Sequence, residues 1–135
     1  MNELTLEARL DNLNEVLAFV DEFLEGLLCP PKVQMQIDVA VEELFVNIVQ
    51  YSYAPAVGQA TIRMDVENDR PGVAITFIDS GMPFNPLIKV DPDITLSAEQ
   101  RQIGGLGIFM VKKSMDKVEY EYKDEKNILT IRKYF

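Results

Sequence analysis

Between residues 13 and 28 the apolar positions Leu13, Val16, Leu17, Val20, Phe23, Leu24, Leu27 and Leu28 return every third or fourth place. That is the period of one helix face, so the pattern predicts a helix from Asp11 or Asn12 to Leu28. Cys29-Pro30-Pro31 should stop it, because proline lacks an N–H and restricts the residue before it. Pro31 suits the first turn of a second helix, which the stripe Ile37, Val41, Leu44 and Ile48 carries to about Tyr51.

Strand-like stretches follow. Residues 4–10 suit a short edge strand, and Gln59 to Glu67 and Val73 to Ile78 are rich in β-favouring residues. Asn68-Asp69-Arg70-Pro71-Gly72 between the last two reads as a turn. Residues 84–103 have weak periodicity, and a connection of that length is often a functional lid. A short helix at Ser97–Arg101 fits inside it, and Ile108, Val111, Met115 and Val118 predict a helix of two to three turns after the glycine run. Val118 to Lys123 and Ile128 to Tyr134 close the chain as a hairpin around Asp124-Glu125-Lys126-Asn127. Short turns between strands imply mostly antiparallel pairing. The expected fold is α+β: one domain over residues 1–135, a two-layer sandwich of a mostly antiparallel mixed sheet with helices on one face.

Composition narrows the chemistry. The net charge of −9 disfavours direct nucleic-acid binding through a broad basic patch. There is no histidine, so His triads, His–metal centres and phosphohistidine chemistry are excluded within this chain. A single cysteine, Cys29, excludes an internal disulfide and a Cys-based zinc site. No apolar run approaches the roughly 20 residues of a membrane span, and the N-terminus lacks a signal-peptide pattern. The expected location is the cytoplasm.

Four groups could carry chemistry. Glu43 and Asn47 lie four apart at the margin of the second helix's apolar stripe, so both point toward the rim of a cleft. A carboxylate and an amide oxygen suit magnesium or a positioned water, although a surface Glu–Asn pair needs no function. Asp79 ends an apolar strand and is followed by Gly81. It could accept a hydrogen bond from the exocyclic amine of a base, with Gly81 leaving room for a flat ring, or simply cap a turn. Gly104-Gly105-Leu106-Gly107 precedes a helix, where free backbone N–H groups can cradle phosphate. It is neither a Walker loop nor a dinucleotide fingerprint, and a hinge would explain it equally well. Thr130 alternates with Leu129 and Ile131, as any β-former could.

Taken in order, Glu43-Leu44-Phe45-Val46-Asn47, Asp79-Ser80-Gly81-Met82-Pro83-Phe84-Asn85-Pro86, Gly104-Gly105-Leu106-Gly107-Ile108 and Asn127-Ile128-Leu129-Thr130 resemble the GHKL ATPase fold. The nearest likeness is to the bacterial anti-sigma factor and serine-protein kinase group of the RsbW and SpoIIAB type. Met115-Asp116 and Pro92-Asp93-Ile94-Thr95-Leu96 also look like that group.

The resemblance implies Mg-ATP. Asn47 would coordinate magnesium, and Glu43 would be the general base. Asp79 would take the adenine amine, with Gly81 below the ring and Thr130 assisting. Gly104, Gly105, Leu106 and Gly107 would hold the phosphates under a lid of about residues 87–103. It also implies a protein-serine/threonine kinase acting on a STAS-domain anti-sigma antagonist, a sigma factor as second partner, and a homodimer. The alternative is a non-catalytic module whose nucleotide state controls protein binding. Two features depart from the family pattern. Tyr51 stands where many relatives have histidine, and the first helix has no arginine of the kind some relatives use to dock partners, since Lys32 is the only basic residue between Arg9 and Arg63.

Overall fold

In the computed structural model, which describes residues 2–53, 56–88 and 105–135, side chains alternate across one sheet. Ala60, Ile62 and Met64 on one strand and Val73, Ile75 and Phe77 on the next are buried in the same core, and Leu129 and Ile131 join them from a third. The strands are β1 (Asn2–Glu7), β2 (Gln59–Val66), β3 (Gly72–Asp79), β4 (Lys117–Lys123) and β5 (Lys126–Tyr134). Their order is β1-β2-β3-β5-β4, and all four pairings are antiparallel. The opposite face is polar. It carries Thr5 bonded to Thr61, Thr76 bonded to Thr130, and Arg63 paired with Glu3.

Three helices cover the core face: α1 (Leu13–Gly26), α2 (Pro31–Asn47) and α3 (Gly105–Ser114). Val16, Val20 and Leu24 of α1 and Ile37, Val41, Leu44 and Phe45 of α2 are buried there, so the predicted stripes do face the core. The expected helix-on-sheet sandwich is the fold the chain adopts.

Element ends differ from expectation for identifiable reasons. A single 3₁₀ turn, Leu10–Asn12, leads into α1. That helix ends two residues early because Leu28 adopts a left-handed backbone, φ 57°. Cys29 N–H then bonds Leu24 O at 3.1 Å and Leu28 N–H bonds Glu25 O at 3.1 Å, the paired closure of a Schellman cap. The prolines only prevent resumption. The second helix does run to Ser52, but its last five residues, Ile48–Ser52, form a wider π turn. The final hairpin turns on Asp124 and Glu125 alone, both with positive φ, 54° and 62°. Lys123 pairs with Lys126, so Asn127 belongs to strand β5 and not to the turn. The predicted helix at Ser97–Arg101, Pro92–Leu96, Gly104 and nearly all of the expected lid lie outside the described residues.

Candidate functional site

The end of β3 and the start of β5 meet in register, Asp79 opposite Asn127. Both are on the core face, and both are buried, at 4% exposure. A polar pair in such a position must satisfy itself or lose stability. Here it does. Asn127 Nδ2 donates to Asp79 Oδ1 at 2.9 Å and to Met82 O at 2.9 Å. Gly81 N–H donates to the same Asp79 oxygen at 3.0 Å. Asn127 Oδ1 accepts from Phe84 N–H at 3.0 Å and from the Tyr120 hydroxyl.

The loop after β3 is also held from the other side. Met82 N–H bonds Ser52 O at 3.0 Å. A Cβ on Gly81 would collide with the Ser52 backbone, so only glycine allows this approach. The side of Gly81 where a side chain would stand is therefore filled by the π turn. Tyr53 completes the frame. Its hydroxyl donates to Gln59 O and accepts from Ser80 N–H, each at 2.7 Å. Burial, its largest influence, raises the Tyr53 phenol above its ordinary pKa, so it remains a donor at neutral pH.

Asp79 and Asn127 line a cavity of about 30 Å³ with Leu44, Asn47, Ser52, Phe77, Phe84, Pro86, Tyr120 and Leu129. That is the room of about one water, against several hundred Å³ for typical ligand pockets. Phe84 stands at this cavity and stacks on Tyr51, ring centroids 5.0 Å apart.

From α2, Asn47 reaches the same cavity. It is 5% exposed, and its Nδ2 has no hydrogen-bond partner among the described residues. An orphaned buried amide costs about 1–3 kcal/mol. A phosphate oxygen would satisfy that end; with the amide turned over, its oxygen would face a cation, and amide orientation is an assignment. The donor set thus fits a magnesium-bound phosphate group. One turn back, Glu43 is half-buried and faces α3. A Cβ on Gly107 would overlap its carboxylate. The second helix's acid thus lies directly against Gly107, and a side chain there would push the carboxylate aside.

The structure therefore brings together Glu43, Asn47, Asp79, Gly81 and Gly107. Gly105 opens α3, and the side chain of Leu106 is outside the described residues. Thr130 is not brought to the site. It pairs with Thr76 on the polar face of the sheet, 3.3 Å between hydroxyl oxygens. Positions 127 and 130 differ by an odd number, so a strand sends them to opposite faces. The side chain that hydrogen-bonds Asp79 is that of Asn127. Its signal was present in the sequence: Asn127, Leu129 and Ile131 share one parity, which puts a polar residue on a core face.

Comparison with known proteins places this geometry. Residues 6–133 match the family model described as histidine kinase-like ATPase domain. The chain belongs to that family. Its relatives include the serine-protein kinase RsbW of Bacillus mycoides, 33% identical over 67% of this chain and 58% of the relative. A Bacillus cereus RsbW is 34% identical over the same shares. The serine/threonine-protein kinase BtrW of Bordetella bronchiseptica is 24% identical over 74% of this chain and 70% of its own length. The chain thus spans 58% of the length of the Bacillus relatives in these matches. Within the family the similarity is to serine-protein kinases of the RsbW group, as the order of motifs suggested. Among the described residues no helix is long and apolar enough to cross a membrane.

Proposed function

We propose that the cleft binds Mg-ATP and transfers its γ-phosphoryl group to a serine hydroxyl of a partner protein. The observation that carries this reading is the apposition of Glu43 to Gly107, with the orphaned Asn47 amide one turn further along α2. A carboxylate against a glycine turn at a helix start lies where a terminal phosphate would be cradled.

Asp79 accepts the exocyclic amine of adenine. Gly104, Gly105 and Gly107 present N–H groups to the phosphates, under a lid drawn from residues 87–103. Asn47 would hold magnesium, which neutralises phosphate charge when bound. Glu43 takes the proton as the serine oxygen forms its bond to phosphorus and the bond to the bridging oxygen of ADP breaks. Such transfer needs positioning and charge more than covalent help.

The acceptor is inferred to be a serine on a STAS-domain antagonist, with a sigma factor as the competing partner and a homodimer as the working state. The resemblance supports this reading, as do the relatives' description as serine-protein kinases. The test incubates the protein with labelled ATP, magnesium and a STAS-domain antagonist. Label should appear on the antagonist's serine. In Glu43→Ala it should fall by about 10²–10⁴, the usual worth of a general base, while ATP affinity persists. Full transfer by Glu43→Ala would remove the assigned base.

A further inference from the structure

The buried amide of Asn127 has every hydrogen-bonding position in use. It offers two donors and two acceptor lone pairs, four in all. The donors go to Asp79 Oδ1 and Met82 O, and the lone pairs receive Phe84 N–H and the Tyr120 hydroxyl. Turning the amide over would set its oxygen against a carboxylate and a carbonyl, and its NH₂ against an N–H. The network thus fixes which end faces Asp79.

The consequence falls on Asp79. Its Oδ1 receives two N–H groups, from Gly81 and Asn127. Asp79 also lines the cleft. The hydrogen bonds it receives from the described residues all come from N–H donors, so Asp79 is set to accept. It suits a base that presents an N–H donor there and opposes one that presents a carbonyl oxygen.

We propose that Asn127, clamped by Tyr120, is a positioning residue that sets the base preference of the cleft, selecting a 6-aminopurine nucleotide over a 6-oxopurine one. This rests on Asp79 being the base-reading carboxylate. The Tyr120 clamp holds across neutral pH, because burial, its largest influence, raises that phenol above its ordinary pKa. Sequence parity would permit many polar residues at position 127. The four partners require one that donates and accepts in fixed directions.

The experiment measures the affinities of ATP and of inosine triphosphate, with magnesium, for the wild type and for Asn127→Leu and Tyr120→Phe. Circular dichroism checks that each variant is folded. Wild type should prefer ATP. Asn127→Leu should weaken ATP by about tenfold and leave inosine triphosphate equal or tighter, so the ratio collapses. Tyr120→Phe keeps the ring, is less disruptive, and should lower the ratio by a few-fold through the loosened amide. Equal losses for both nucleotides in both variants would overturn the proposal, since a merely structural role moves them together. An unchanged ratio in both would overturn it too. Failure of the wild type to bind any nucleotide would instead remove the Mg-ATP reading, and this inference with it.

Discussion

The two ends of the cleft are built differently. At the β3–β5 end, Asp79, Asn127, Tyr120, Gly81 and Met82 satisfy one another in a closed network. At the α2–α3 end, Asn47 is buried with an amide nitrogen unpaired among the described residues, and Glu43 lies against a glycine. The first arrangement is complete without a ligand; the second is not. On the proposed reading, a base-reading end whose polar groups are already paired lowers the cost of binding, because they need no reordering. A phosphate end with an unsatisfied group would gain most when the ligand arrives, because that is when the group finds a partner.

The largest expected effect is at the complete end. Asp79→Ala removes the acceptor and leaves Asn127 Nδ2 short of a partner, so ATP affinity should fall by about 10–100-fold, a charged hydrogen bond's worth. Isothermal titration checks it. An affinity within twofold of wild type would show that this end does not read the base.

A smaller effect of opposite sign is expected at the incomplete end. Asn47→Leu removes the orphaned amide while keeping the side chain's size. The ligand-free protein should gain about 1 kcal/mol in denaturant unfolding, while Mg-ATP binding weakens. A loss of stability without ligand would mean that Asn47 is already satisfied, and the contrast between the two ends would disappear.

An effect of a different kind, on stability against pH, lies away from the cleft, where α1 faces α2. Burial first, then a hydrogen bond and the charge of Asp21, then Glu25, push the Asp38 carboxyl up to about 7. Gln34 Nε2 donates to Asp21 at 3.1 Å and to Glu25 at 3.4 Å, so these two carboxylates meet at one amide. In the unfolded chain Asp38 gives up its proton near 3.8, while the folded chain keeps it to about 7. The folded state therefore binds more protons between those values, and this group's stabilisation is lost as pH rises through that window. Asp38→Asn should remove that slope. Its melting temperature relative to wild type should climb from pH 4 to 7 and then level off. A constant difference across pH would place Asp38 outside the linkage, and the cleft comparison would stand unaffected.

Much of this was legible in the sequence. The apolar stripes of α1 and α2 located both helices, and the four-residue spacing of Glu43 and Asn47 placed them on one side of α2. Asp79 at the end of an apolar strand was a visible polar exception. What escaped was the partner of Asp79. The hairpin closes on Asp124 and Glu125 with positive φ at both, a conformation usually marked by glycine or asparagine. Without that marker the turn reads as longer, and Asn127 falls outside the strand. Thr130 then looks like the nearest polar candidate, although strand parity points it away. The Gly81–Ser52 approach was hidden for a different reason. It joins residues 29 apart in sequence through backbone alone, and no side-chain pattern announces it.

One titration bears on all of this. Isothermal calorimetry of the wild-type chain with ATP in magnesium should give saturable binding of one nucleotide per chain, weakened when magnesium is removed. Inosine triphosphate should bind more weakly under the same conditions. Absence of saturable ATP binding, or equal affinity for both nucleotides with and without magnesium, would contradict a cleft built to read a base at one end and await phosphate at the other.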